Sequence, residues 1–141
     1  MKEKTKIAII GSRFTIIDDS YKNIYYPIIL KCLSRLNLDD VEIVSGGAKG
    51  IDSVAEKFAH DYGVDFKLFP ADWDKYGKSA GMIRNKELIN YSNLAIVFWD
   101  NKSKGTANSL KLLKDNKIAF RLFDMNGNLM EFKNYDYGKN N

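Results

Sequence analysis

Three glycines fall within eight positions in SGGAKGID (45–52), directly after the apolar run VEIV. Glycine this dense is costly, because it gives up more chain entropy on folding than other residues. It suits a backbone that takes positive φ and approaches another group closely. Gly46 and Gly47 could admit a ligand there, and Gly50 could do the same where a helix begins. Free N–H groups in the first turn of that helix, at the positive end of its dipole, suit phosphate or carboxylate. Asp52 falls in that turn and could cap the helix or bond a ribose hydroxyl. The same stretch also reads as a tight strand-to-helix turn with Asp52 as its cap.

Two further stretches have similar chemistry. WDNKSKGT (99–106) places Gly105 and Thr106 where another helix opens, and GSR (11–13) places Ser12 and Arg13 after an apolar run. Arg13 and Arg84 are the arginines to assign to phosphate, since a planar guanidinium clamps oxyanions with two bonds; a surface salt bridge is the alternative for each. Trp73, Tyr76 and Trp99 flank these stretches and could stack on a base, with core packing equally open to Trp99. The glycines fit neither GxGxxG nor GxxxxGK[ST], because Lys49 precedes the third glycine, and this speaks against a Walker-type triphosphatase. One histidine, His60, without a cysteine cluster, gives no metal site, and no serine has the GxSxG context of a nucleophile elbow. Asp18-Asp19 and Asp39-Asp40 read as cap and loop carboxylates.

Short β-branched runs alternate with helical stretches and hold these loops. Strands are expected at 6–12, 41–47, 65–70 and 94–100, the last the most continuously apolar and therefore central. Helices are expected at 21–36, with Ile24, Ile28, Leu33 and Leu36 on one face, and at 51–63, 80–91 and 106–116. KIAFRLFD, the pair Asn126-Gly127 and NLMEFKN read as a C-terminal hairpin at a sheet edge, and the tail 135–141 is expected to fray. The alternation predicts an α/β fold, a Rossmann-like three-layer sandwich with a mostly parallel sheet, as one domain over 1–141. Ligands of such sheets bind at the carboxyl ends of the strands. Gly, Ser, Thr, Arg, Asp and Trp gather at four of those ends, and that clustering is the strongest argument for a site.

The 141 residues, 45% hydrophobic and 28% charged, suit a globular protein with a full core. No apolar run approaches membrane-spanning length, and the basic start MKEKTK lacks the apolar segment of a signal peptide. The single cysteine, Cys32, is expected in the core, and its isolation points to the cytoplasm. A net charge of +4 suits an anionic partner, although a solvated basic surface explains it as well.

Together, GSRF (11–14), SGGAKGID (45–52), PADWDKYGKSAGMIRN (70–85) and FWDNKSKGT (98–106) resemble the YspA-like, cpYpsA-related branch of the SLOG superfamily, which is related to the Smf/DprA and LOG proteins. The resemblance spans residues 7 to about 118. It implies a Rossmann-like fold that binds a nucleotide or nucleotide-derived ligand of ADP-ribose, NAD or cyclic-nucleotide type, as a sensor or sequestering protein. The implied ligand-binding set is Gly11, Ser12, Arg13, Ser45, Gly46, Gly47, Ala48, Gly50, Asp52, Asp72, Trp73, Arg84, Asn85, Trp99, Ser103, Gly105 and Thr106. Arg84 falls on the arginine of the RK pair of LOG enzymes, with Asn85 in place of the lysine, and Ser109 stands where their catalytic glutamate would be. Binding is therefore expected over catalysis, with no catalytic residue assigned. LOG-like hydrolysis of a nucleotide N-glycosidic bond and DprA-like DNA binding are the alternatives. No cofactor, metal or membrane partner is expected. The expected partner is a nucleotide-derived small molecule rather than nucleic acid, and a homo-oligomer is expected, with the helix around Tyr21, Tyr25 and Tyr26 as part of its interface.

Overall fold

The computed structural model describes residues 3–135. It forms a six-stranded sheet in the order β3-β2-β1-β4-β5-β6. The strands are β1 (Thr5–Gly11), β2 (Val41–Ser45), β3 (Asp65–Leu68), β4 (Leu94–Phe98), β5 (Ala119–Phe123) and β6 (Leu129–Lys133). The first five run parallel, with Ile9 opposite Ile96 at the centre, and β6 returns antiparallel to β5 through the expected hairpin. The helices are α1 (Tyr21–Cys32), α2 (Ile51–Tyr62), the single turn α3 (Trp73–Tyr76), α4 (Ala80–Tyr91) and α5 (Lys104–Asp115).

Strand side chains alternate between two faces, so each strand feeds two cores. Ile7 and Ile9 of β1, Ile43 of β2 and Ile96 and Phe98 of β4 pack with α1 and α2. Ala8, Ile10, Val44, Ala95 and Val97 meet Leu88 and Ile89 of α4 and Leu110 and Leu113 of α5 on the other face. This is the Rossmann-like sandwich expected from the alternation, and β1 and β4 are the central pair.

Some local expectations change. Helix α1 ends at Cys32, four residues early, and a 3-10 turn at Leu38–Asp40 leads into β2. Its buried face carries Tyr21, Tyr25, Tyr26 and Ile29, while Ile24 is exposed. The tyrosines are therefore core residues and not the free surface of an interface. Each body is apolar, and the hydroxyls of Tyr25 and Tyr26 donate to the Met125 carbonyl and the Asp61 carboxylate, both at 2.7 Å. Tyr26 meets the fully buried Phe58 edge-on at 5.2 Å. Cys32 is half-buried against the same core. The stretch after β3, expected to be irregular, contains α3 and a 3-10 turn at Gly77–Ser79. Of the tail expected to fray, residues 136–141 lie outside the described residues. No helix among the described residues is long and apolar enough to cross a membrane.

Candidate functional site

Strand order reverses between β1 and β4, so the loops leaving these two strands part above the sheet and open a crevice. At its floor the Ser12 amide donates to the Phe98 carbonyl (2.9 Å), and the buried Ser12 hydroxyl accepts from the Asp100 amide (3.0 Å). Asp100 then ties the next loop. Its Oδ1 accepts from the amides of Lys102 and Ser103, each at 2.8 Å, and its Oδ2 accepts from the Ser103 hydroxyl at 3.0 Å. The Ser103 amide, then that of Lys102, holds the Asp100 carboxyl down to about 2. The Trp99 indole N–H donates to the Ser103 carbonyl at 3.0 Å.

That loop fixes the start of α5. The Ala107 amide bonds the Ser103 carbonyl (3.1 Å), so the amides of Lys104, Gly105 and Thr106 have no carbonyl within the helix. Thr106 and Ser109, one turn apart, are only 6% and 5% exposed, yet both line the crevice. Neither hydroxyl has a hydrogen-bond partner among the described residues. No buried side-chain oxygen among the described residues lacks a partner, so both hydroxyls open into the crevice, where with the open amides they offer donors to an acceptor-rich group.

The glycine-rich turn is arranged differently. Gly50 sits at φ +87°, and a Cβ there would lie 2.5 Å from the Phe14 nitrogen and 2.6 Å from the Ser12 carbonyl. The group that comes close to Gly50 is the chain's own β1 loop. The Ile51 amide donates to Ser12 (3.3 Å), and the Ala48 amide donates to Asp52 Oδ2 (3.2 Å). The first amide of α2 is thus taken by the β1 loop and Asp52 holds the turn before it, whereas none of the first three amides of α5 has a partner among the described residues. At Gly46 a Cβ would run into the Arg84 guanidinium and stand 2.9 Å from Asp52 Oδ2.

Arg84 is half-buried. It donates to the Gly46 carbonyl, to the Phe69 carbonyl (3.4 Å) and, through Nε, to Asn85 Oδ1 (2.9 Å). Asn85 Nδ2 in turn reaches Asn108 Oδ1 (3.2 Å) and ties α4 to α5. Burial pulls the Arg84 pKa down and nearby Arg13 adds to this, while Asp52 opposes it. Burial pushes the Asp52 carboxyl up against the opposing pull of the Ala48 amide and Arg84. Desolvation therefore outweighs attraction at both ends of this pair. Arg13 itself is exposed and has no hydrogen bond or ion pair among the described residues.

The crevice has two lobes. A deeper one of about 290 Å³ contains Gly11, Ser12, Asp52, Asn85, Ser103, Gly105 and Thr106 of the expected set. A second, of about 460 Å³, lies toward β3 and adds Gly47 and Trp73. Arg13, Gly46, Ala48 and Arg84 line both. Four expected residues line neither lobe. Ser45 is buried with its hydroxyl on the Ile9 carbonyl (2.6 Å), Gly50 packs on the β1 loop, Asp72 caps α3 by accepting from the Lys75 amide (3.1 Å), and Trp99 lies against the α4–α5 core. Ser109, read in the sequence only as the position of the LOG glutamate, lines the deep lobe with Lys104, and Leu68 and Lys49 line the second; none was in the expected set. The i, i+3 spacing from Thr106 could have found Ser109; nothing in the sequence marks Leu68. No cluster of three or more His, Cys, Asp or Glu side chains among the described residues could hold a metal ion.

Comparison with known proteins bears out the resemblance carried by the motifs. Residues 28–76 match the model of the YspA, cpYpsA-related SLOG family, a stretch running from within α1 through α3. Gene 61 protein of Mycobacterium phage D29 is 32% identical over 75 residues, covering 49% of this chain and 60% of the phage protein. Two solved structures share the fold. DNA processing protein A from Helicobacter pylori has a TM-score of 0.62 at 22% identity, covering 85% of this chain and 65% of that one. Its counterpart from Streptococcus pneumoniae has a TM-score of 0.63 at 18% identity, covering 86% and 50%. The chain thus spans under two thirds of each of these relatives. The Helicobacter protein is described by its mode of binding single-stranded DNA. This overturns the expectation that set nucleic acid aside as a partner, because a protein of this fold binds it. The physical reason is open to view: the crevice has an exposed, unpaired arginine at its rim, and a phosphodiester offers that arginine the same oxyanion as a free nucleotide.

Proposed function

We propose, for a chain whose residues 28–76 carry the YspA, cpYpsA-related SLOG pattern, that the crevice between β1 and β4 binds the phosphate-sugar part of a nucleotide. The observation that carries this reading is the start of α5, where open amides and the unpartnered hydroxyls of Thr106 and Ser109 line one lobe with Arg13. Such a helix end favours an oxyanion by geometry and by its dipole together. Two arginines near one another with a single buried carboxylate beside them leave positive charge for the ligand to neutralise. Ligands of the ADP-ribose, NAD and cyclic-nucleotide kind supply the phosphate. Binding is put before cleavage because Asp52 is the one carboxylate among the residues lining the deep lobe, and it is buried and already bonded to the Ala48 amide.

Isothermal titration with AMP, ADP-ribose, NAD and cyclic AMP tests the reading. Arg13→Ala should weaken the best of these about tenfold, in line with loss of one charged hydrogen bond of ~1.5 kcal/mol or more. Equal affinity in the wild type and in Arg13→Ala would remove the assignment.

A second reading takes the same phosphate as part of a single DNA strand. It is favoured by the likeness to DNA processing protein A and by the continuation of the crevice from one lobe into the other. Anisotropy of a labelled oligothymidylate should then fall steeply with salt as the gain from counterion release shrinks. Salt-independent binding speaks against it.

A further inference from the structure

The second lobe has a composition of its own. Its wall toward β3 is apolar and exposed: Leu68 at the end of an edge strand is 44% exposed, Trp73 is 54% exposed, and Pro70 lies between them. Its remaining charges are Lys49, Arg13 and Arg84, and no carboxylate lines it. Exposed apolar side chains gathered on one wall and rimmed by charge mark a binding surface.

Trp73 is the informative residue. It belongs to the single turn α3, whose start is fixed by the Asp72 carboxylate accepting from the Lys75 amide. One edge of its ring rests at α4, where a Cβ on Gly81 would stand 3.6 Å from Cη2. The indole is therefore positioned, yet it makes no ring contact or cation–π contact among the described residues. Arg13, Gly46, Ala48 and Arg84 border both this lobe and the deep one, so the two are contiguous, with the Arg84 guanidinium lying over Gly46.

We infer that this lobe seats the base of the nucleotide whose phosphate occupies the deep lobe, with the indole of Trp73 as the stacking surface and Leu68 and Pro70 as the apolar wall. The inference rests on the phosphate reading above and extends it to the base. Apolar walls with a cationic rim fit a ligand that is aromatic at one end and anionic at the other. A purely apolar partner leaves three cations unanswered, and inorganic phosphate leaves the indole uncovered. Because stacking uses the face common to all bases, the lobe should tolerate different bases and either a free nucleotide or a unit of a single strand.

The test uses the full chain with Trp99→Phe, which leaves Trp73 as the sole tryptophan, titrated with AMP, ribose 5-phosphate and a short oligothymidylate by tryptophan fluorescence and, for affinity in every variant, by calorimetry. AMP, the oligonucleotide or both should quench Trp73 and bind about tenfold or more tightly than ribose 5-phosphate. Trp73→Ala should abolish that advantage while leaving ribose 5-phosphate affinity unchanged, and Trp73→Phe should restore part of it. Circular dichroism of each variant checks folding. Equal binding of AMP, oligonucleotide and ribose 5-phosphate, or an advantage that survives in Trp73→Ala, overturns the base seat and leaves the phosphate reading standing. Binding of none of the three overturns both.

Discussion

Arg13 and Arg84 share one crevice with Asp52, and the three have very different freedom. Arg84 is spent on the Gly46 and Phe69 carbonyls, whereas Arg13 is exposed and unpaired, so Arg13 is the residue a ligand can recruit. Asp52 is nearly enclosed, and burial raises its pKa in the folded protein. For an acid with a raised folded pKa, the stabilising contribution is complete below the unfolded value near 4 and is lost as pH rises through the folded value. Wild-type stability should therefore fall more steeply with pH above about 4 than that of Asp52→Asn in denaturant unfolding; parallel curves would show that Asp52 carries no such shift. Gly50 makes a sharper case. At φ +87°, with backbone atoms 2.5 to 2.9 Å from where a Cβ would stand, Gly50→Ala should lose at least about 2 kcal/mol, read from its thermal midpoint. The sequence marked Gly50 as a place of close approach and could not say to what. The approaching atoms lie 36 to 38 residues away, in the loop after β1.

The two helix starts at the crevice differ although both open with glycine. The first amide of helix α2 is taken by the β1 loop, with Asp52 holding the preceding turn, and the first three amides of α5 are left open beside the Asp100 loop. Asp100 accepts three hydrogen bonds from residues 102 and 103, and its depressed pKa of about 2 has a definite sign. Its stabilising contribution is present above the unfolded value near 4 and disappears as pH falls through about 2. Asp100→Ala should accordingly lower the thermal midpoint by an amount that is constant at neutral pH and shrinks steadily as pH falls from about 4 toward 2. A difference as large at pH 2 as at neutral pH would mean the Asp100 charge does not hold the loop. At this scale the strands and long helices were legible, because period-2 and period-3.6 patterns declare themselves in β1, β4 and α2. Helix α1 misled, since its tyrosines are amphipathic and only the partners Met125 and Asp61, far along the chain, decide that they turn inward. Helix α3 was hidden, being a single turn that depends on the Asp72 cap.

Across the whole molecule, the strand order 3-2-1-4-5-6 forces the β1 and β4 loops apart and places the open α5 start beside Arg13, with the lobe at Trp73 next to both. The four loops were legible as one region because a parallel sheet gathers its strand ends. Their division of labour was not, since it depends on which amides the chain keeps for itself. The match over residues 28–76 contains the closed glycine turn and Trp73 but neither Arg13 nor α5, so the proposed anion seat lies outside the matched segment. The central claim is that this seat, and not the glycine turn, receives the phosphate. Heteronuclear NMR of the labelled protein during titration with ribose 5-phosphate tests it most directly. The amides of Lys104, Gly105 and Thr106 should shift together and saturate with a single affinity, while those of Ile51 and Asp52 move little. Saturable shifts centred on Ile51 and Asp52 with α5 unmoved, or no saturable shift at all, would contradict the account.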